Sequence, residues 1–266
     1  MSTPRLEHPS PPAQFTLRSL FVVMTVLALL LGILVPLVSA SRDAARTMQC
    51  SMNMRQIGFG LLGFESARGS LPPAFTSDLN GYRLHSWRTQ LPPYLEQLPI
   101  DGSGAAGIYN RICWKEPWDS RNNSELRSWS YRAYGCPADE TATTQNETSY
   151  MAVIGQETLW RGRTGLRSPK SGIASLKSVL VVESVGHHIP WMEPRDLKLA
   201  DLKLAPQATG SPLISSEHAK GANVLLADCS VRCLPRNTPA ITLQSMLTAT
   251  SAEPQTGVAA GDGGQK

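Results

Sequence analysis

From Leu20 to Val38 the chain sets down 19 residues without a charge, and almost every other apolar run is much shorter. At about 1.5 Å per helical residue this run covers roughly the 30 Å hydrocarbon core of a bilayer. It predicts a transmembrane anchor helix over residues 15–40, preceded by a polar, Pro-rich leader at 1–14. Two other readings compete with the retained anchor. One is a buried core helix, although such helices rarely run this long without a charge. The other is a secretory signal cleaved near Val38-Ser39-Ala40, although a signal's apolar region usually spans only about 7–15 residues. Pro36, inside the run, predicts a kink, because proline removes a helical hydrogen bond and clashes with the preceding turn. Arg5 and Arg18 precede the run while Arg42, Arg46 and Arg55 follow it, so flanking charge does not set the orientation.

Past the anchor, Ala44, Met48, Met52, Phe59 and Leu62 recur at helical spacing with one gap, and Arg42, Arg46, Gln49 and Arg55 fall off that stripe. This predicts a continuation of the helix over 41–68, ended by Gly69 and Leu71-Pro72-Pro73. Gly58, Gly60 and Gly63 weaken a helix by up to about 1 kcal/mol each, which implies compensation by close packing against a sheet. The period then changes. Trp129–Tyr134, Ser149–Ile154, Ser178–Val182, Asn223–Ala227 and Val231–Leu234 are short β-branched or aromatic runs bounded by turn residues. Long irregular stretches such as Asp101–Gly107 and Glu193–Pro212 separate them. One long N-terminal helix laid on a later antiparallel sheet is an α+β plan. The β-rich ectodomain occupies 69–251, and a Gly/Ala/Gln-rich stretch at 252–266 predicts a disordered tail.

Composition, 41% apolar and 17% charged, allows a sizeable core. A net charge of +4 without a Lys/Arg cluster does not point to nucleic acid. The Trp, Tyr and Arg interleaved from Tyr82 to Tyr134 read as core and rim aromatics rather than a stacking surface. The 5 cysteines, Cys50, Cys113, Cys136, Cys229 and Cys233, contain no CxxC and no zinc-ligand spacing. Their odd number leaves at least one free thiol in an oxidising compartment. Cys113–Cys136 is the first disulfide pairing to test, but sequence alone does not fix connectivity.

Several blocks carry a resemblance. Phe15-Thr16-Leu17, the apolar helix with Pro36, then Arg42-Asp43-Ala44-Ala45-Arg46, Cys50, Asn53 and Gln56-Ile57-Gly58 resemble the N-terminus of type IV prepilin-like proteins. Within these they are similar to a large bacterial family, domain of unknown function 1559. Ser86-Trp87-Arg88 with Leu91 to Gln97, Glu116-Pro117-Trp118-Asp119, Cys136-Pro137, Thr148 to Gly155, and Glu183 with Pro190 to Pro194 resemble further shared segments. The most specific likeness is a C-terminal signature of His, nine residues, then Asp-Gly, met here as His218 to Asp228 and followed after one residue by Ser230. The blocks span roughly residues 15 to 250. The resemblance implies a pilin-like fold, a cytoplasmic N-terminus and an extracytoplasmic domain.

Three departures qualify it. In prepilins the peptidase cuts after a Gly just before the Phe, but Gln14 stands there. The fifth residue from that Phe is usually a Glu, which pairs with a neighbour's N-terminal ammonium in the filament, and here it is Ser19. A buried charge needs such a partner, and without these features the chain reads as an anchored monomer or minor component rather than a polymerising pilin. Arg18 suits an interfacial, snorkelling anchor end. Third, Cys229 replaces the signature Gly at a hairpin tip that favours φ > 0, which implies about 1 kcal/mol of strain or another turn geometry.

His218 and Asp228 each have a plain reading, a packing histidine and a turn residue. They also have a functional one, in which His218, Asp228, Glu183, His187 and His188 gather around a divalent ion. The sequence holds no nucleophile elbow, phosphate-binding loop or dinucleotide fingerprint. The expectation is therefore a non-enzymatic single-pass protein of the bacterial inner (cytoplasmic) membrane without a cofactor. Its partners would be the lipid bilayer and other pilin-like or envelope proteins. It would serve as a structural or pseudopilin-type component of a cell-envelope or secretion assembly. The membrane anchor, Leu20 to Val38 with Pro36, carries that expectation. The alternative is an anchored ligand- or metal-binding or sensing domain that uses the His218/Asp228 region.

Overall fold

The computed structural model of the chain describes residues 17–95, 105–129, 131–163, 177–202 and 214–248. The leader at 1–14 and the tail at 252–266 lie outside them. The chain divides into two compact units, residues 1–45 and 46–266.

Helix α1, Leu17–Arg68, is 52 residues long and runs through Pro36 without a break. In the first unit its large apolar side chains, among them Leu20, Phe21, Leu29, Ile33 and Val38, are exposed. The helix is long and apolar enough to cross a membrane. In the second unit α1 buries Cys50, Met54, Ile57, Leu61 and Phe64. This corrects the expected stripe. Met48, Met52 and Phe59 are exposed, because the helix carries two apolar faces, and the face with the unbroken 4-3-4-3 spacing is the one that packs. At its C-terminus Gly69 adopts φ +77° and donates its N–H to Glu65 O at 2.8 Å, a left-handed cap.

Strands β1 (Phe75–Ser77) and β2 (Arg83–Ser86) form an antiparallel pair. Short helices follow, α2 (Ala105–Arg111), α3 (Ser124–Arg127) and α4 (Glu140–Thr144). Trp129–Tyr134 is not the expected strand. Arg132–Tyr134 is a 3-10 turn, and the carbonyls of Arg132 and Gly135 accept from Asn53 Nδ2 at 3.0 and 2.9 Å instead of from a ladder. The turn also places Tyr134 in a buried aromatic group, stacked on Trp191 at 5.9 Å between ring centres.

The main sheet has five strands in the order β5-β3-β4-β6-β7. They are β3 (Tyr150–Ile154), β4 (Val179–Glu183), β5 (Leu197–Lys198), β6 (Gly221–Leu226) and β7 (Val231–Pro235). Four pair antiparallel, but β5 lies parallel to β3, so the sheet is mixed. Both faces of β3, β4 and β6 are buried, whereas β7 is a largely exposed edge. Tyr150, Ala152, Leu180 and Leu225 share a cluster with the buried face of α1. Met151, Val153, Val182, Val224 and Leu226 share a second with Leu243 and Leu247 of α5 (Ala240–Leu247). Burial on both sides makes these strands read as nearly continuous apolar runs. The result is an α+β arrangement, a long N-terminal helix with sheets and irregular loops.

Only the first of the helix glycines meets the sheet. A Cβ on Gly58 would lie 3.0 Å from Leu225, whereas Gly60 and Gly63 lie against Leu95 and Tyr94 of the loop after β2. At the start of β6, Gly221 has φ +137°, and a Cβ there would lie 1.9 Å from Leu234 O. Gly221→Ala is expected to destabilise the protein by at least 1–3 kcal/mol, roughly the cost of a disallowed backbone alone. Urea unfolding in detergent that matches the parent chain would refute this.

Candidate functional site: a buried disulfide beside histidine and glutamate

Cys50, on the buried face of α1, is bonded to Cys136, which follows the Arg132–Tyr134 turn, across a sequence separation of 86. The expected Cys113–Cys136 pairing is therefore corrected. Cys113 is a half-buried free thiol beyond α2, and its N–H donates to Asn123 Oδ1. The fold seats both bonded cysteines. Asn53, one turn after Cys50, holds the carbonyls just before Cys136, and Cys136 N–H donates to Ser149 Oγ at 2.9 Å. Tyr150 donates its hydroxyl to Cys50 O at 3.2 Å.

Two further side chains complete the group. His218, in the loop before β6, is 6% exposed. Its Nε2 lies 3.4 Å from Cys136 Sγ and 3.4 Å from Glu183 Oε1, and its Nδ1 lies 3.1 Å from Thr47 Oγ1. Glu183, the last residue of β4, is fully buried. Its Oε2 accepts from Asn223 N and Nδ2 at 2.8 and 2.9 Å. Burial pushes the Glu183 carboxyl up to about 7, against the opposing hydrogen bonds from Asn223 and Ser216.

With a folded value near 7 against an ordinary 4.5, the native protein holds this proton more tightly than the unfolded chain does. The stabilisation is complete below 4.5 and is lost as pH rises through 7. The displacement corresponds to ~3 kcal/mol. Relative to Glu183→Gln, the parent protein is expected to lose about that much stability between pH 5 and pH 8. Denaturant titrations at the two pH values measure it, and parallel losses in both proteins would rule the effect out.

The other signature residues lie elsewhere. Asp228 is exposed at the β6–β7 hairpin, where its Oδ1 accepts from Ser230 N at 2.8 Å, and hydrogen bonding from Ser230 holds its carboxyl below the usual range. Cys229 N–H donates to Leu226 O, and Cys229 then takes φ +62°. The tip is thus a turn closed by a left-handed residue, a three-residue hairpin loop with a bulge rather than a two-residue one. Cys229 accepts that backbone while its Sγ packs at 3.4 Å from Gly58 O. His188 pairs with Glu147 at 3.2 Å, and His187 is half-buried. Of the residues considered for an ion, the fold thus brings together His218 and Glu183 alone, and adds Cys50 and Cys136. A surface cleft of ≈ 370 Å³ beside Tyr82, Arg83, Trp118 and Arg195 contains none of them.

The structure thus defines a mixed α+β protein with one helix fit to span a bilayer and a disulfide, histidine and glutamate buried where that helix meets the sheet. Residues 39–176 match the family described as "Protein of unknown function (DUF1559)", and the chain belongs to it. His218, Asp228 and Ser230 lie beyond the matched residues. No curated protein and no solved structure matches the chain.

Proposed function

We propose that this chain is a non-enzymatic, single-pass protein of the bacterial inner membrane. Its N-terminus lies in the cytoplasm and its domain on the far side. There it serves as a pilin-like, pseudopilin-type structural component of a cell-envelope or secretion assembly, with the bilayer and other envelope proteins as partners. The observation that carries this reading is α1 itself. One unbroken helix begins as exposed apolar surface and ends with a face buried against the sheet. Exposed apolar area of that extent has its lowest free energy in lipid. His218 is buried and held by neighbours on other elements rather than facing an open cleft. Asp228 shapes a turn. That division of labour favours the scaffold over a binding cleft made from the two together.

Fractionation followed by intact-mass measurement tests the reading. The full chain should stay with membranes through alkaline carbonate washing and leave them only in detergent. A mass beginning at Phe15 would restore processing of the pilin kind. A mass beginning at Ser41, or partition into the aqueous phase, would overturn the anchor.

A further inference from the structure

We propose that when the Cys50–Cys136 bond is reduced, Cys50, Cys136, His218 and Glu183 bind one zinc ion. The disulfide is then the metal-free, locked form of a latent zinc centre. The four donor atoms, two sulfurs, one nitrogen and one oxygen, lie within 4.8 Å of one another, and all four residues are buried. Zinc–sulfur bonds of ~2.3 Å and zinc–nitrogen or –oxygen bonds of ~2.0 Å at tetrahedral angles set donor separations of about 3.6 Å for S–N and about 3.3 Å for N–O. The His218 Nε2 distances of 3.4 Å to Cys136 Sγ and 3.4 Å to Glu183 Oε1 already have those lengths. The two sulfurs must part to about 3.8 Å, and the remaining separations, all within 4.8 Å, close onto one ion by small side-chain shifts.

His218 and Glu183 are each oriented from outside the group. Thr47 Oγ1 beside Nδ1 fixes the imidazole with Nε2 aimed at the group, the outer contact that orients a metal-binding histidine. Asn223 holds Glu183 by Oε2 alone. Oε1 faces the cluster, with His218 Nε2 at 3.4 Å and no better-aligned donor among the described residues. A buried carboxylate oxygen so weakly held is costly, and a cation satisfies it. Two thiolates, an imidazole and a carboxylate suit zinc among the divalent ions.

The chemistry balances with a dithiol as reductant. It delivers two electrons and two protons, the Sγ–Sγ bond breaks, each cysteine becomes a thiol, and the reductant closes into its own disulfide. Zinc then displaces both thiol protons, and the carboxyl proton where Glu183 carries one, to solvent and is bound by the thiolates, Nε2 and Oε1. Because the site is closed to solvent, loading couples to local opening or to folding.

The test uses full-length protein in detergent, with Cys113→Ser and Cys233→Ser to remove the more accessible free thiols, and cobalt(II) as probe. After reduction the protein should take up one equivalent, with thiolate-to-cobalt charge-transfer and tetrahedral ligand-field absorption that zinc abolishes. The oxidised protein should take up none. His218→Ala and Glu183→Gln should each weaken binding at least tenfold. Reduced protein without the tetrahedral spectrum, or His218→Ala with undiminished affinity, overturns the proposal. Should the reduced chain lose its fold, zinc added during reduction must restore the circular dichroism of the oxidised form, and failure to do so is equally fatal.

Discussion

Replacing Arg88 with methionine is expected to cost about 3–5 kcal/mol, the loss found when one partner of a buried ion pair is removed. Arg88 is fully buried, and its guanidinium makes five hydrogen bonds. They reach Asp196 Oδ1 at 2.8 Å and the carbonyls of Tyr150, Trp191, Glu193 and Arg195. Asp196 also accepts from Trp87 Nε1 and Ala152 N, so this one pair ties the β2 end to β3 and to the segment leading into β5. Burial already raises the Asp196 carboxyl, and Arg88 opposes the rise. Without Arg88 the carboxyl protonates or stays charged and unpaired. Removing both charges in Arg88→Met/Asp196→Leu should cost less than Arg88→Met alone, because no buried charge is left without its partner. Equilibrium unfolding of the two variants measures the difference, and a double variant weaker than the single one would contradict this account.

The second large effect belongs to the disulfide. Closing a loop with a sequence separation of 86 removes unfolded-state entropy equivalent to about 4–5 kcal/mol on the loop-entropy view, and losses of 2–5 kcal/mol are typical. Cys50→Ser is therefore expected to lower unfolding free energy by several kcal/mol under oxidising, metal-free conditions. The same shift should appear on reducing the parent chain, since both break one bond. Unfolding curves that coincide before and after reduction would show that the crosslink contributes nothing.

Much of the architecture was legible in the chain. The long N-terminal helix, its end at Gly69, and strands β3, β4, β6 and β7 follow from apolar runs bounded by turn residues. What failed did so for local reasons. On α1, Met48, Met52 and Phe59 are as apolar as the packed face, so hydrophobicity could not choose between them. The regular 4-3-4-3 series Cys50, Met54, Ile57, Leu61, Phe64 was the better guide. Trp129–Tyr134 has strand composition, but Asn53 satisfies its backbone from 79 and 82 residues away, and no window along the chain reveals that. Strand β5 has two residues and owes its existence to pairing with β3. The candidate site was half visible. The sequence points to His218 and Glu183, yet the partner it suggests for them, Asp228, shapes a turn, and the sulfurs come from elements far apart in sequence. Cys50 and Cys136 each sat in a block shared with the family, and that common membership was the available hint of their pairing.

The crosslink also governs how the molecule carries force. A pull delivered along α1 reaches Cys50 and passes through the sulfur bridge directly to Cys136, so the intervening chain, with a contour of about 300 Å when extended, bears no tension. Stretched from its two ends, the oxidised protein should come up short by that length, and a reductant should release it in a single added step.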